Sequence, residues 1–151
     1  MDEMDWALLR ELQVDARLSY SELSRRVHLS PPAVAERVRR MEESGVVTGY
    51  HAHVDLARAG RNVLALIQMS CYGARCVLRD PEVETWPEIL QIMRVTGDAC
   101  SVLKVAAGSI DSFERLIDRL APYGRPASTM VLSTPLQWRP VLPPMPPDHT
   151  A

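Results

Sequence analysis

Four groups of side chains in this sequence have types and spacings that could do chemistry. The first runs from Arg17 to Arg40. It holds six arginines, at 17, 25, 26, 37, 39 and 40, against Glu22 and Glu36, a local balance of +4 in a chain of net charge −2. Guanidinium groups match phosphate oxygens and the guanine edge, and only a contact face must be positive, so an acidic chain can still bind nucleic acid. The second group is Val95-Thr96-Gly97-Asp98-Ala99-Cys100-Ser101. Glycine lets backbone approach a ligand and turn amides can hold a carboxylate, although the same residues also make an ordinary tight turn. The third is Cys71, Cys76 and Cys100, odd in number and without CxxC spacing, which predicts buried, reduced thiols instead of a disulfide framework or structural zinc. A redox sensor would need one of them exposed and easily ionised. The fourth is His51 and His53, on one face of an extended segment; no Cys, Asp or Glu completes a site with them, so they read as surface histidines and no metal is assigned. Nowhere does a nucleophile stand at plausible spacing from a base, and no glycine-rich phosphate loop occurs. Catalytic residues and cofactors are therefore not expected, and neither is an enzyme.

The elements that position these groups follow from periodicity. Leu8, Leu9 and Leu12, with Met4 before them, share a helical face and predict a helix from about Asp5 to Val14. Ser19-Tyr20-Ser21-Glu22 is a capping box opening a helix of about two turns, with Leu23 and Val27 inward. His28-Leu29-Ser30-Pro31 then supplies a short turn, an N-cap serine and a proline at the first helical position. The third helix carries Val34, Val38 and Met41 inward and stops at Gly45; Pro32, Glu36, Arg39 and Arg40 face away, with Arg37 at the edge. Two helices joined by a short turn, the second arginine-rich on its free face, make a helix-turn-helix whose second helix enters the major groove of double-stranded DNA. The candidate DNA contacts are Arg25, Arg26, Ser30, Pro32, Ala33, Glu36, Arg37, Arg39 and Arg40. Ser30 is first a cap, but its hydroxyl or the helix's N-terminal amides could meet a phosphate; Arg25 and Arg26 bind phosphate or simply solvate the surface.

The rest of the chain alternates differently. His51 to Leu56 reads as a strand, Val63 to Ser70 as a central strand, and Asp80-Pro81 as the start of a short helix ending near Trp86. Pro87 to Val95 and Ser101 to Ala107 are strands flanking the Gly97 turn. Asp111-x-x-Glu114 caps a helix burying Phe113, Leu116, Ile117 and Leu120, and Ser128 to Thr134 is the last strand. The order β-α-β-β-α-β is ferredoxin-like, giving an α+β chain. In the first strand of this order Val63, Ala65, Ile67 and Met69 alternate with Leu64, Leu66 and Gln68, so both faces are largely apolar and a dimer through this domain is expected. Pro140, Pro143, Pro144, Pro146 and Pro147 mark an extended, solvated tail, with a PxxP-type ligand role as the alternative. No apolar run is long enough to span a bilayer and Met1-Asp2-Glu3 is acidic, so a cytoplasmic protein without membrane partners is expected.

Over the first fifty residues the run Asp2-x-x-Asp5, Leu9, Leu12, Asp15-x-Arg17-Leu18-Ser19, Glu22-Leu23, Val27-x-Leu29-Ser30, Val34, Arg37-Val38-x-Arg40-Met41-Glu42, Gly45-Val46-Val47-x-Gly49-Tyr50 resembles the leucine-responsive/asparagine-operon (Lrp/AsnC, feast/famine) family of transcription regulators. The resemblance implies a winged-type helix-turn-helix over 1–48, a hinge strand and linker over 49–60, and a ferredoxin-like RAM domain over 61–139 that binds ligand and dimerises. A Pro-rich tail over 140–151 follows. It implies a homodimer able to assemble to an octamer, and a small-molecule effector, commonly an amino acid, held between subunits. The matching effector positions are Val95, Thr96, Gly97, Asp98, Ala99, Cys100 and Ser101, with Ser128. Where the family usually has an aspartate followed by an aromatic, this sequence has Cys100-Ser101. An aspartate there could pair with an α-amino group, so the departure implies a different ligand, a substitute charge from Asp98, or no effector. The alternatives to an effector-modulated regulator are a thiol redox-sensing regulator and an effector-independent, architectural DNA-binding protein.

Overall fold

Asp2 opens the first helix: its carboxylate accepts the Asp5 amide at 2.9 Å, and the Asp5 carboxylate accepts the Asp2 amide at 3.0 Å. This reciprocal cap starts α1 (Glu3–Val14) two residues ahead of the start read from the leucine spacing. The computed structural model that shows this describes residues 1–72 and 74–144. Ser19 and Glu22 form the expected capping box for α2 (Tyr20–Val27). Ser30, followed by Pro31, opens α3 (Pro31–Glu43). Leu8, Leu12, Leu23, Val27, Val34, Val38 and Met41 converge in one apolar core. Three short helices hold together because each contributes a stripe to that core; none is long enough to be stable alone.

The second unit is a four-stranded antiparallel sheet, β1 (Val63–Ser70), β2 (Ile89–Arg94), β3 (Ser101–Ala107) and β4 (Arg125–Met130), in the order β2-β3-β1-β4. A single turn, α4 (Pro81–Glu84), precedes β2. Helix α5 (Ile110–Leu120) and a 3-10 turn at Ala121–Tyr123 connect β3 to β4. Val63, Ala65, Ile67 and Met69 of β1, with Leu103, Val105 and Ala107 of β3, bury one sheet face under Phe113, Leu116 and Leu120 of α5 and under Val77, Val83 and Trp86. The alternate side chains fall on the other face, where Leu66 is 38% exposed. Leu66 and Gln68 at the middle of that face are exposed, while Ala106 is buried.

Several expectations need correction. His51 to Leu56 forms no strand: a strand needs a ladder partner, and among the described residues none runs beside it. Backbone bonds from Ala59 to Asp55, Gly60 to Ala57 and Arg61 to Leu56 instead close turns over 55–61. None of residues 44–62 is in a strand within the one chain. Helix α5 is capped by Ser109 and Ser112, which accept each other's amides at 3.0 and 3.2 Å, and not by Asp111 and Glu114. The last strand ends at Met130, not Thr134. Its register runs from Ser70↔Arg125 to Ala65↔Met130, and β1 starts at Val63, so residues 133 and 134 lie beyond its end.

The chain divides into compact units after Ala52, and residues 136–144 group with the N-terminal unit. There Val141 donates its amide to the Gln13 Oε1 at 2.7 Å and accepts from Gln13 Nε2 at 3.1 Å, so this part of the expected solvated tail is held. The Pro146 and Pro147 portion of that expectation lies outside the described residues.

Candidate functional site

The turn between α2 and α3 rests on His28, whose backbone is left-handed at φ 56°. Its amide closes α2 on the Ser24 carbonyl, and Leu29 bonds the same oxygen at 3.1 Å. Ser30 then accepts the Ala33 amide at its hydroxyl (3.4 Å) and the Val34 amide at its carbonyl (3.0 Å). Pro31 and Pro32 have no N–H. Pro31 and Pro32 thus offer no amide and those of Ala33 and Val34 are taken, so a phosphate at the α3 N-terminus would draw on Ser30 itself.

The outward face of α3 presents Pro32, Glu36, Arg39 and Arg40, all exposed, with Ala33 half-buried beside them. Arg39 bridges Glu36 at 2.6 Å and Glu43 at 2.7 Å along its own helix. Arg37 turns toward α1 and pairs with Asp2 and Asp5, both at 2.7 Å, while Arg40 lies 4.0 Å from Asp5. On α2, Arg26 pairs with Glu11 at 2.8 Å, whereas Arg25 is exposed and makes no ion pair among the described residues. These pairs raise the already high pKa of Arg26, Arg37 and Arg39, mainly through the side-chain hydrogen bonds, and Arg39 holds Glu36 below its ordinary value. The stripe found in the sequence is thus real but internally neutralised. Its partners Asp2, Asp5 and Glu11 went unassigned because they sit on another helix, 15 to 35 residues away. Each guanidinium has five donors, and the pairs leave several of them for phosphate or base edges.

In the second unit the β2–β3 turn holds Gly97 at φ +110°, with Thr96, Gly97 and Asp98 exposed and Val95, Ala99 and Cys100 half-buried. Three bonds fix it: Cys100 N to Met69 O (2.8 Å), Val95 N to Cys100 O (3.3 Å) and Ser70 Oγ to Asp98 O (3.2 Å). Ser101 is fully buried and so is not presented to a ligand in this chain. Ser128 lies opposite Ile67 on β4, with β1 between it and β3. One chain therefore does not gather the turn and Ser128 into a single pocket.

The cysteines are neither deeply buried nor scattered. All three are half-buried, with Cys71 Sγ 2.7 Å from Cys100 Sγ and 3.0 Å from Cys76 Sγ. Burial, reinforced by the neighbouring thiols, pushes the Cys71 thiol up to about 12. Burial also opposes ionisation at Cys100, but bonds with Cys71 and Ser101 outweigh it and lower that thiol. Spacing along the chain hid this cluster. The register Met69↔Ser101 reveals it, because it places residue 100 opposite residue 70 and beside 71. Histidines 51 and 53 are exposed and belong to no such group among the described residues.

An arginine-faced helix-turn-helix joined to a ferredoxin-like domain defines a DNA-binding regulator with two functional parts. Residues 1–42 match the AsnC-type helix-turn-helix domain and residues 73–141 the Lrp/AsnC ligand binding domain. The chain is 33% identical over 133 residues to the HTH-type transcriptional regulator LrpC of Bacillus subtilis, covering 88% of this chain and 92% of that protein. The solved LrpC structure superposes with a TM-score of 0.86 at 32% identity, over 91% of this chain and 99% of that one. A feast or famine regulatory protein of Mycobacterium tuberculosis, complexed with L-methionine, superposes with a TM-score of 0.83 at 32% identity, over 94% and 99%. The chain belongs to the Lrp/AsnC family of transcription regulators, which are not enzymes. No helix among the described residues is long and apolar enough to cross a membrane.

Proposed function

We propose that this regulator binds specific DNA sites as a cytoplasmic dimer or larger assembly, through Arg37, Arg39 and Arg40 of α3 and Arg25 and Arg26 of α2, and that a small molecule at the 95–101 turn biases its geometry. The observation that carries the reading is the exposed arginine face of α3, set behind a rigid capped turn. Paired recognition helices one helical turn apart, about 34–36 Å, would occupy successive major grooves. An effector shifts such a dimer only by binding one arrangement better than another. The L-methionine complex of the M. tuberculosis relative supports an amino acid or a similar ligand. Cys100-Ser101, where the family's acidic-aromatic pair is usual, favours weak binding of ordinary amino acids or a ligand of another shape.

Selection of duplexes from a random pool, followed by gel-shift titration of the winner, tests the first half. A preference of about 10³ or more over random DNA is expected; equal affinity for every duplex would overturn the reading. Calorimetry with the twenty standard amino acids tests the second half. Millimolar-or-tighter binding of an ordinary amino acid would show that the missing pair is no handicap.

A further inference from the structure

We propose that Cys71, Cys76 and Cys100 form a three-thiolate site for a soft, thiophilic d10 metal ion. Their sulfurs all lie within 4.8 Å of one another, and they are the one such group of three potential ligands among the described residues. Each comes from a different piece of chain: Cys71 follows the end of β1, Cys100 precedes β3, and Cys76 stands in the connection to α4. No carboxylate or imidazole joins them, and a purely thiolate set selects soft ions such as Cu(I), Zn(II) or Cd(II) over hard ones.

The geometry favours an ion over a disulfide. A disulfide would join two sulfurs at about 2.05 Å and leave the third without a role. Three sulfurs each about 2.3 Å from one ion stand roughly 3.8–4.0 Å apart, so opening the two short contacts by about 1 Å by side-chain rotation makes the site. The backbone around it is held. Cys100 N bonds Met69 O, and a Cβ on Gly124 would run into the Ser70 carbonyl and the Cys71 Cα. Tyr123 donates to Asp80 at 2.8 Å and carries the Arg75 guanidinium 5.7 Å above its ring, anchoring both flanks of Cys76. Binding a divalent ion releases one proton from each thiol and leaves the site with one net negative charge, in a pocket where Arg75, Arg79 and Asp80 line the wall beside Cys76. Half-exposure leaves the ion's fourth position open to water or an external ligand.

The test uses the full chain, reduced and then handled without oxygen, with Cd²⁺ alone as probe. One ion per chain is expected, with a sulfur-to-cadmium charge-transfer band and protection of all three thiols from a thiol-reactive dye. Cys71→Ser, Cys76→Ser and Cys100→Ser should each weaken binding by at least about 100-fold, more than the loss of an outer-shell partner typically costs. Protection of fewer than three thiols in the unsubstituted chain would overturn the proposal without any variant having to fold. So would a band and affinity that survive Cys76→Ser, or the appearance of an intramolecular disulfide in place of three titratable thiols.

Discussion

Arg37, Arg39 and Arg40 sit within four residues of one another yet face three different situations. Arg40 is exposed and lies at the limit of pairing distance from Asp5. Arg40→Ala is expected to weaken specific binding by about 1–3 kcal/mol if it reads a base, or to lower binding to all sequences and shrink the salt slope by about one if it touches phosphate. Arg39→Ala should weaken DNA binding while leaving thermal stability within about 0.5 kcal/mol, because its two ion pairs are solvent-exposed. Arg37→Ala should lose both DNA affinity and melting temperature, since its partners tie α3 to α1. Gel-shift titration beside thermal melting separates the three; unchanged binding in all of them would sink the recognition-helix assignment. At this scale the cations were legible in the sequence because arginine clustering is local. The carboxylates that hold them were not, because which helix faces which is a property of the packed core.

Helix starts were the most legible elements, since a cap is written within four residues. Ser19 and Glu22 sit where their spacing says, whereas Asp2 and Asp5, the same device built from two aspartates, was missed. Ser19→Ala is expected to destabilise the N-terminal unit by about 1 kcal/mol. Acid should act on the same caps. Asp2 is held below its ordinary value by the Asp5 amide and then by Arg37, and Glu22 by the Ser19 hydroxyl and amide. Folded values below the unfolded ones mean stabilisation that is complete above the carboxylate range and disappears as pH falls through it, below about pH 4. Helical circular dichroism against temperature, taken between pH 7 and pH 3, should show melting falling at the acid end; a flat profile would contradict the cap assignment. Strand ends were less legible. Where β4 stops is decided by where β1 starts, 67 residues earlier in the chain, and where a hinge strand forms is decided by what lies beside it.

For the whole molecule, the sheet has one finished face and one unfinished one. Leu66, at the middle of central strand β1, points out of the covered core and is 38% exposed. A second copy of the chain laid on this face would give Leu64 and Leu66 the cover that α5 gives the other side. Leu66→Glu is therefore expected to leave the fold of the chain intact and shift sedimentation from dimer to monomer, weakening association by about 2 kcal/mol or more. Identical sedimentation of the variant and the parent at micromolar concentration would place the dimer contact elsewhere. The internal pairing of the α3 arginines also bears on how such a dimer finds its target. A cell offers on the order of 10⁶–10⁹ wrong sites for each right one. Asp2, Asp5, Glu36 and Glu43 are tethered rivals to every phosphate that approaches, present at fixed range whatever the salt. Under the proposed function, arbitrary DNA has only phosphates with which to displace them, while an operator adds base edges, so a lasting stay requires the base contacts as well.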